Sequence, residues 1–128
     1  MSKIISLVLF ALFLSACATA PTRLNAEAFK LVQEGRVPAK STPAFTDCLM
    51  DGFDEAHFIG MNGTVRQQRR FDSYRVETLG DFFIIVSADI FDDGRVRLHE
   101  STTAALIITE GERHAFEKCL KQYGTAER

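Results

Sequence analysis

The chain has 128 residues, with 15 Lys and Arg against 17 Asp and Glu, a formal charge of −2, and 46% hydrophobic side chains that include 11 Phe and no Trp. That length suits one small domain. The slight acidic excess argues against a nucleic-acid partner, and no apolar stretch reaches the roughly 20 residues a membrane-spanning helix requires.

The N-terminus is Met1-Ser2-Lys3 followed by an apolar run, Ile4 to Leu14. A single positive charge ahead of about eleven mostly apolar residues has the n- and h-regions of a secretory signal. A buried core helix is the other reading. It fits poorly, because the run is apolar all round and gives way at once to Ala18-Thr19-Ala20-Pro21-Thr22. Next to the run, Leu14-Ser15-Ala16-Cys17 resembles the lipobox of bacterial lipoproteins. The resemblance covers about the first 18 residues and implies a signal peptide over 1–16 with lipid on Cys17. Ala18, rather than Asp, is similar to the sorting pattern of outer-membrane lipoproteins. The implied protein faces the periplasm on palmitate-type acyl chains, and two or three chains hold where one binds only marginally. Residues 17–24 then read as a tether and 25–128 as one domain. Removing 1–16 would leave 112 residues, nine of the Phe, and 14 basic against 17 acidic side chains, a formal −3.

With Cys17 taken by lipid, Cys48 and Cys119 remain. In an oxidising periplasm they are expected to pair, since small exported domains supplement a modest core with disulfides. Two separate buried thiols are the alternative.

In the domain, Asn25 stands where it could cap a helix over Ala26–Glu34, with Gly35 and Pro38 beyond its end. A second helix starts at Thr42-Pro43, with Phe45, Cys48, Leu49, Phe53 and Ala56 at spacings of three and four, weakened by Gly52. From Arg69 to Leu79 the pattern alternates as a strand, Tyr74, Val76 and Thr78 opposing Arg75 and Glu77. After a turn at Leu79-Gly80-Asp81, Phe82, Ile84, Val86, Ala88 and Ile90 line one strand face, and Phe83, Ile85 and Phe91 partly fill the other. Two apolar faces predict a central strand. Asp92-Asp93-Gly94 predicts a type I′ hairpin into Arg95–Ser101, with Val96 and Leu98 inward and Arg95, Arg97 and His99 outward. Ala104–Ile108 reads as a fourth short strand in preference to an extension of the third. Thr109 and Glu112 form a capping box for a helix to about Gln122, its inner face Ala115, Phe116, Cys119, Leu120 and Tyr123. The expected fold is α+β: a three- or four-stranded antiparallel sheet, one or two N-terminal helices, and a C-terminal helix packed on one face.

His57, His99 and His114 fall in three elements without ligand spacing, so no metal is expected. Asp89, Asp92, Asp93 and Glu100 could supply an acid/base pair, but Asp92 and Asp93 are accounted for by the turn. Serine-nucleophile and phosphate-loop patterns are absent from the sequence, so no catalysis and no cofactor are expected. A basic band is more suggestive. Arg66, Arg69, Arg70 and Arg75 precede the hairpin that adds Arg95 and Arg97. Guanidinium groups suit carboxylate or phosphate. A solvated sheet face, its charges balanced by Asp72, Glu77 and Glu100, is the competing reading. The acids Asp47–Glu55 read as a solvated helix face. The expected role is a non-catalytic protein-binding or scaffold lipoprotein of the cell envelope; a carrier of small apolar ligands or an inhibitor of an envelope enzyme is the alternative.

Overall fold

The computed structural model describes residue 23 and residues 25–56, 63–80, 83–102 and 109–124. Among them, in chain order, are β1 (Phe29–Arg36), α1 (Thr42–Glu55), β2 (Thr64–Arg69), β3 (Ser73–Leu79), β4 (Ile84–Phe91), β5 (Arg95–Ser101) and α2 (Glu110–Tyr123). The strands form one antiparallel sheet in the order β1-β5-β4-β3-β2. The class is α+β, as expected, with five strands rather than three or four. The predicted signal segment, the lipobox and Cys17, His57, and the strand expected over Ala104–Ile108 lie outside the described residues.

β4 is the central strand, as its two apolar faces predict. Val86, Ala88 and Ile90 are fully buried toward the helices, beside Val76 of β3 and Val96 and Leu98 of β5. On α1, Phe45, Leu49 and Phe53 recur every four residues and are fully buried. Each such side chain contributes about 1.5–3 kcal/mol on leaving water. α2 completes the layer with Ala115, Phe116 and Cys119, and the Phe45 and Phe116 rings meet edge to face at 5.7 Å. A disulfide joins Cys48 of α1 to Cys119 of α2, with Cα atoms 6.0 Å apart. Gly52 does not break α1. A Cβ there would lie 2.7 Å from the Ala115 Cβ, so its absence lets the two helices touch.

Three expectations are corrected. The helix over Ala26–Glu34 is instead one 3-10 turn, Ala26–Ala28, and strand β1. The Asn25 carboxamide oxygen does accept from the Glu27 N–H. An apolar stripe of three residues cannot hold a helix against the ladder that β5 offers along its free edge, and a register shift between Leu31 and Gln33 hides the strand alternation. The strand expected over Arg69–Leu79 is β3, begun only at Ser73, and an unexpected strand, β2, precedes it across a turn at 70–72 with the Arg70 N–H donating to the Ser73 carbonyl. The capping box does not form. The Thr109 hydroxyl accepts no helix N–H; it donates to Glu100 on β5, whose two carboxylate oxygens are also bonded by Arg113.

The hairpin sits where Asp-Asp-Gly put it, but its turn is a type I turn closed by a left-handed glycine. Gly94 N–H donates to the Phe91 carbonyl, and among the described residues Gly94 alone has positive φ, +95°. A Cβ at Gly94 would lie 2.0 Å from the Val37 carbonyl oxygen, and the Gly94 carbonyl accepts from the Val37 N–H. The glycine therefore serves both the turn and the close approach of the chain leaving β1.

Candidate functional site

Among the described residues, the two helices cover one face of the sheet, and most polar side chains of β3 to β5 lie on the other, helix-free face. Antiparallel partners point to the same side, so the register sets out rows across the strands. One row reads Arg66, Glu77, Ser87, His99 from β2 to β5. The next reads Gln68, Arg75, Asp89, Arg97, Glu34 from β2 to β1. Beyond it Phe91 faces Ser73, and Arg95 faces Arg36.

Asp89 is the hub. Its Oδ1 accepts from Arg75 Nε at 2.7 Å and its Oδ2 from an Arg23 Nη2. Its side chain is 6% exposed, and those of Arg23 and Arg75 are 17% and 16%. Arg66 Nη2 donates to Glu77 Oε1 at 2.8 Å. Among the described residues, five buried polar atoms on this face have no hydrogen-bond partner: Arg23 Nε, Arg66 Nε, Glu77 Oε2, Ser87 Oγ and His99 Nδ1. Burial, and then the charge of Arg23, pushes His99 below the ordinary imidazole range, so it is held neutral at pH 7. Its Nδ1 stands 3.9 Å from Asp89, beyond hydrogen-bond reach. Ser87 is fully buried beside it. Its hydroxyl has no hydrogen-bond partner among the described residues, so none of them is set as a base against it.

The six arginines of the basic band do not share one surface. Arg66, Arg75, Arg95 and Arg97 do lie on the helix-free face. Arg69 pairs with Tyr74 on the helix side, stacks on its ring at 4.6 Å and grips Asp92 with two 2.7 Å bonds. Arg70 sits in the β2–β3 turn. Arg95 Nε bonds Asp93 at 2.8 Å, and Arg97 approaches Glu34 only to 3.9 Å. Arg23 and Arg36, which join this face, escaped the sequence reading. Arg36 lay past the end of a supposed helix, and Arg23 in a supposed tether.

The acid/base candidates do not converge. Asp92 is held below the usual carboxylate range by the Arg69 bonds and Asp93 by the Arg95 backbone N–H. Glu100 is on the helix side; burial opposes its ionisation, but bonds from Arg113 and Thr109 prevail and keep it low. His114 is exposed on α2, and among the described residues no cluster of His, Cys, Asp and Glu could hold a metal. A groove of about 620 Å³ runs between the helices, with Asp47, Asp51 and Glu55 on one wall and His114 and Lys118 on the other.

No protein-family model, no curated protein and no solved structure matches this chain.

Proposed function

We propose that this chain is a lipoprotein of the bacterial cell envelope, held at the outer membrane by lipid on Cys17, whose domain binds an acidic protein partner through the helix-free sheet face. The observation that carries the reading is the state of three arginines on that face. Arg66, Arg95 and Arg97 are 40%, 41% and 42% exposed. A guanidinium has five N–H donors, and the bonds formed here use one each at Arg66 and Arg95. The buried Arg66 Nε aside, the unused donors belong to half-exposed side chains on the sheet, within reach of carboxylates. Rim charges of this kind set association rate and partner choice. The space between sheet and helices is filled by Phe45, Phe53 and Phe116, which weighs against an apolar-ligand carrier.

A photo-cross-linking residue at Gln68, at the β2 edge of this face, is expected to give one discrete protein adduct in cells. One at Glu117, on the exposed side of α2, should not. The adduct should vanish when Arg95 and Arg97 are both changed to Glu, and its protein should present clustered Asp and Glu at the cross-link. The same adduct from both positions, or none from Gln68, would overturn the binding face. The anchor has its own test. Palmitate labelling should disappear in Cys17→Ala, and label retained in that variant would refute it.

A further inference from the structure

At one corner of this face the sheet places like charges directly opposite one another. Arg36, at the end of β1, is the register partner of Arg95, at the start of β5, and Arg97 follows two residues on, on the same side. Like charges so placed destabilise a sheet, so the arrangement has no structural gain. Two carboxylates, Asp93 and Glu34, attend three guanidiniums. Asp93 takes the Arg95 Nε and feels the charge of Arg36. Glu34 stays 3.9 Å from Arg97. Among the described residues Arg36 forms no ion pair. The Phe91 ring fixes the other two from beneath, with Arg95 at 4.4 Å and Arg97 at 5.9 Å from its centre. Between the strands opens a pocket of about 250 Å³, lined by Glu34, Gly35, Arg36, Arg95, Val96 and Arg97.

From this we infer that the Arg36–Arg95–Arg97 corner is a phosphate-binding site. One guanidinium fork satisfies a planar carboxylate. Three forks around a pocket, with a net positive charge after Asp93 and Glu34 are counted, match the several oxygens and higher charge of a phosphate. The pocket is ample for a tetrahedral oxyanion and shallow enough for one carried on a lipid headgroup. The inference rests on the helix-free face being a binding surface and names the ligand chemistry of one end of it.

The test is a titration of the full chain in neutral detergent with inorganic phosphate, and separately with dihexanoyl phosphatidylglycerol, followed by the amide NMR signals of Gly35 and Val96. Saturable shifts are expected. Arg36→Gln and Arg97→Gln should each weaken binding about tenfold, as expected for loss of a charge-assisted bond. Lys121→Gln, an exposed cation on α2 outside this face, should leave it within about twofold. Tighter binding of the lipid assigns the site to headgroups, and tighter binding of inorganic phosphate to the free ion. No saturable shift with either ligand overturns the site. So does an equal loss in Lys121→Gln, which would mean diffuse attraction. A lost phosphate site with the Gln68 adduct intact removes this inference alone; phosphate binding without any adduct removes the protein partner alone.

Discussion

Asp89→Asn is the sharpest perturbation of the polar face, because it keeps the shape of the hub and removes its charge. Two guanidiniums, Arg23 and Arg75, then lose their counter-ion, and the amide group of the new residue turns donors toward one of them. All three side chains are at least four-fifths buried. Removing one partner of a buried ion pair costs about 3–5 kcal/mol. Water reaches the outer ends of the arginines, so the lower limit applies, about 3 kcal/mol. At about 4–8 °C per kcal/mol for a domain of this size, Tm should fall by roughly 12–24 °C. Urea unfolding followed by circular dichroism measures the loss directly. Adding Arg75→Gln should recover about 1–2 kcal/mol of it, since the second change removes one of the stranded charges. A loss under about 1 kcal/mol with an unchanged denaturant slope would mean that Asp89 is already solvated. The account of this face as a buried charge cluster would then be wrong.

Further outcomes follow from the same geometry. The Cys48–Cys119 bridge closes 71 residues of chain, so replacing both with Ala should remove about 4 kcal/mol. Reduced wild type should unfold at the same urea concentration as that variant, and an unaltered midpoint on reduction would rule out the constraint. His99 is depressed in the fold by burial and by Arg23, while in the unfolded chain it titrates near the ordinary value of about 6.5. The unfolded state therefore takes the proton first, and stability present above about pH 6.5 should drain away as pH falls toward the folded value. His99→Gln should flatten the stability profile as pH falls below about 6.5, and an unchanged slope there would count against a neutral, buried imidazole. Glu112 is raised by burial and then by the charge of Glu100, so its ionised form opposes folding above the raised value. Glu112→Gln should stabilise the protein by about 1 kcal/mol at pH 7, with the gain shrinking as pH falls and the wild-type carboxyl protonates. A loss of stability at pH 7 would refute this.

Elements whose signal is local were legible in the sequence. The four-residue recurrence of Phe45, Leu49 and Phe53, the two-faced β4 and the Asp92-Asp93-Gly94 turn each carry their reason within a dozen residues. β1 and β2 do not. They are the two edges of the sheet, exposed enough that Thr64–Arg69 contains only Val65 as an apolar residue. Only the ladder of a neighbouring strand makes them strands, and that neighbour is remote in sequence for β1. The basic band failed for the same reason. Arg66 and Arg69 stand three apart, an odd spacing that puts them on opposite faces of any strand. Once β2 is known the split is arithmetic; before that, they read as one cluster. The Arg36–Arg95 opposition depends on a register that joins the first strand to the last. The type I geometry at the hairpin was hidden because Asp-Gly serves both turns, and the choice fell to the chain leaving β1 at Val37.

The pairing of β1 with β5 also sets when this protein can fold. As a chain lengthens from its N-terminus, Phe29 has no partner until Ser101 exists, and the helix pair is not tied until Cys119 follows. Local contacts alone leave the edge of β5 bare and Asp89 without Arg23. Closing so large a loop must precede the contacts that reward it. The β2 to β5 hairpins can pair as they emerge, but β1 is held and the two helices are tied only when the last quarter of the chain arrives.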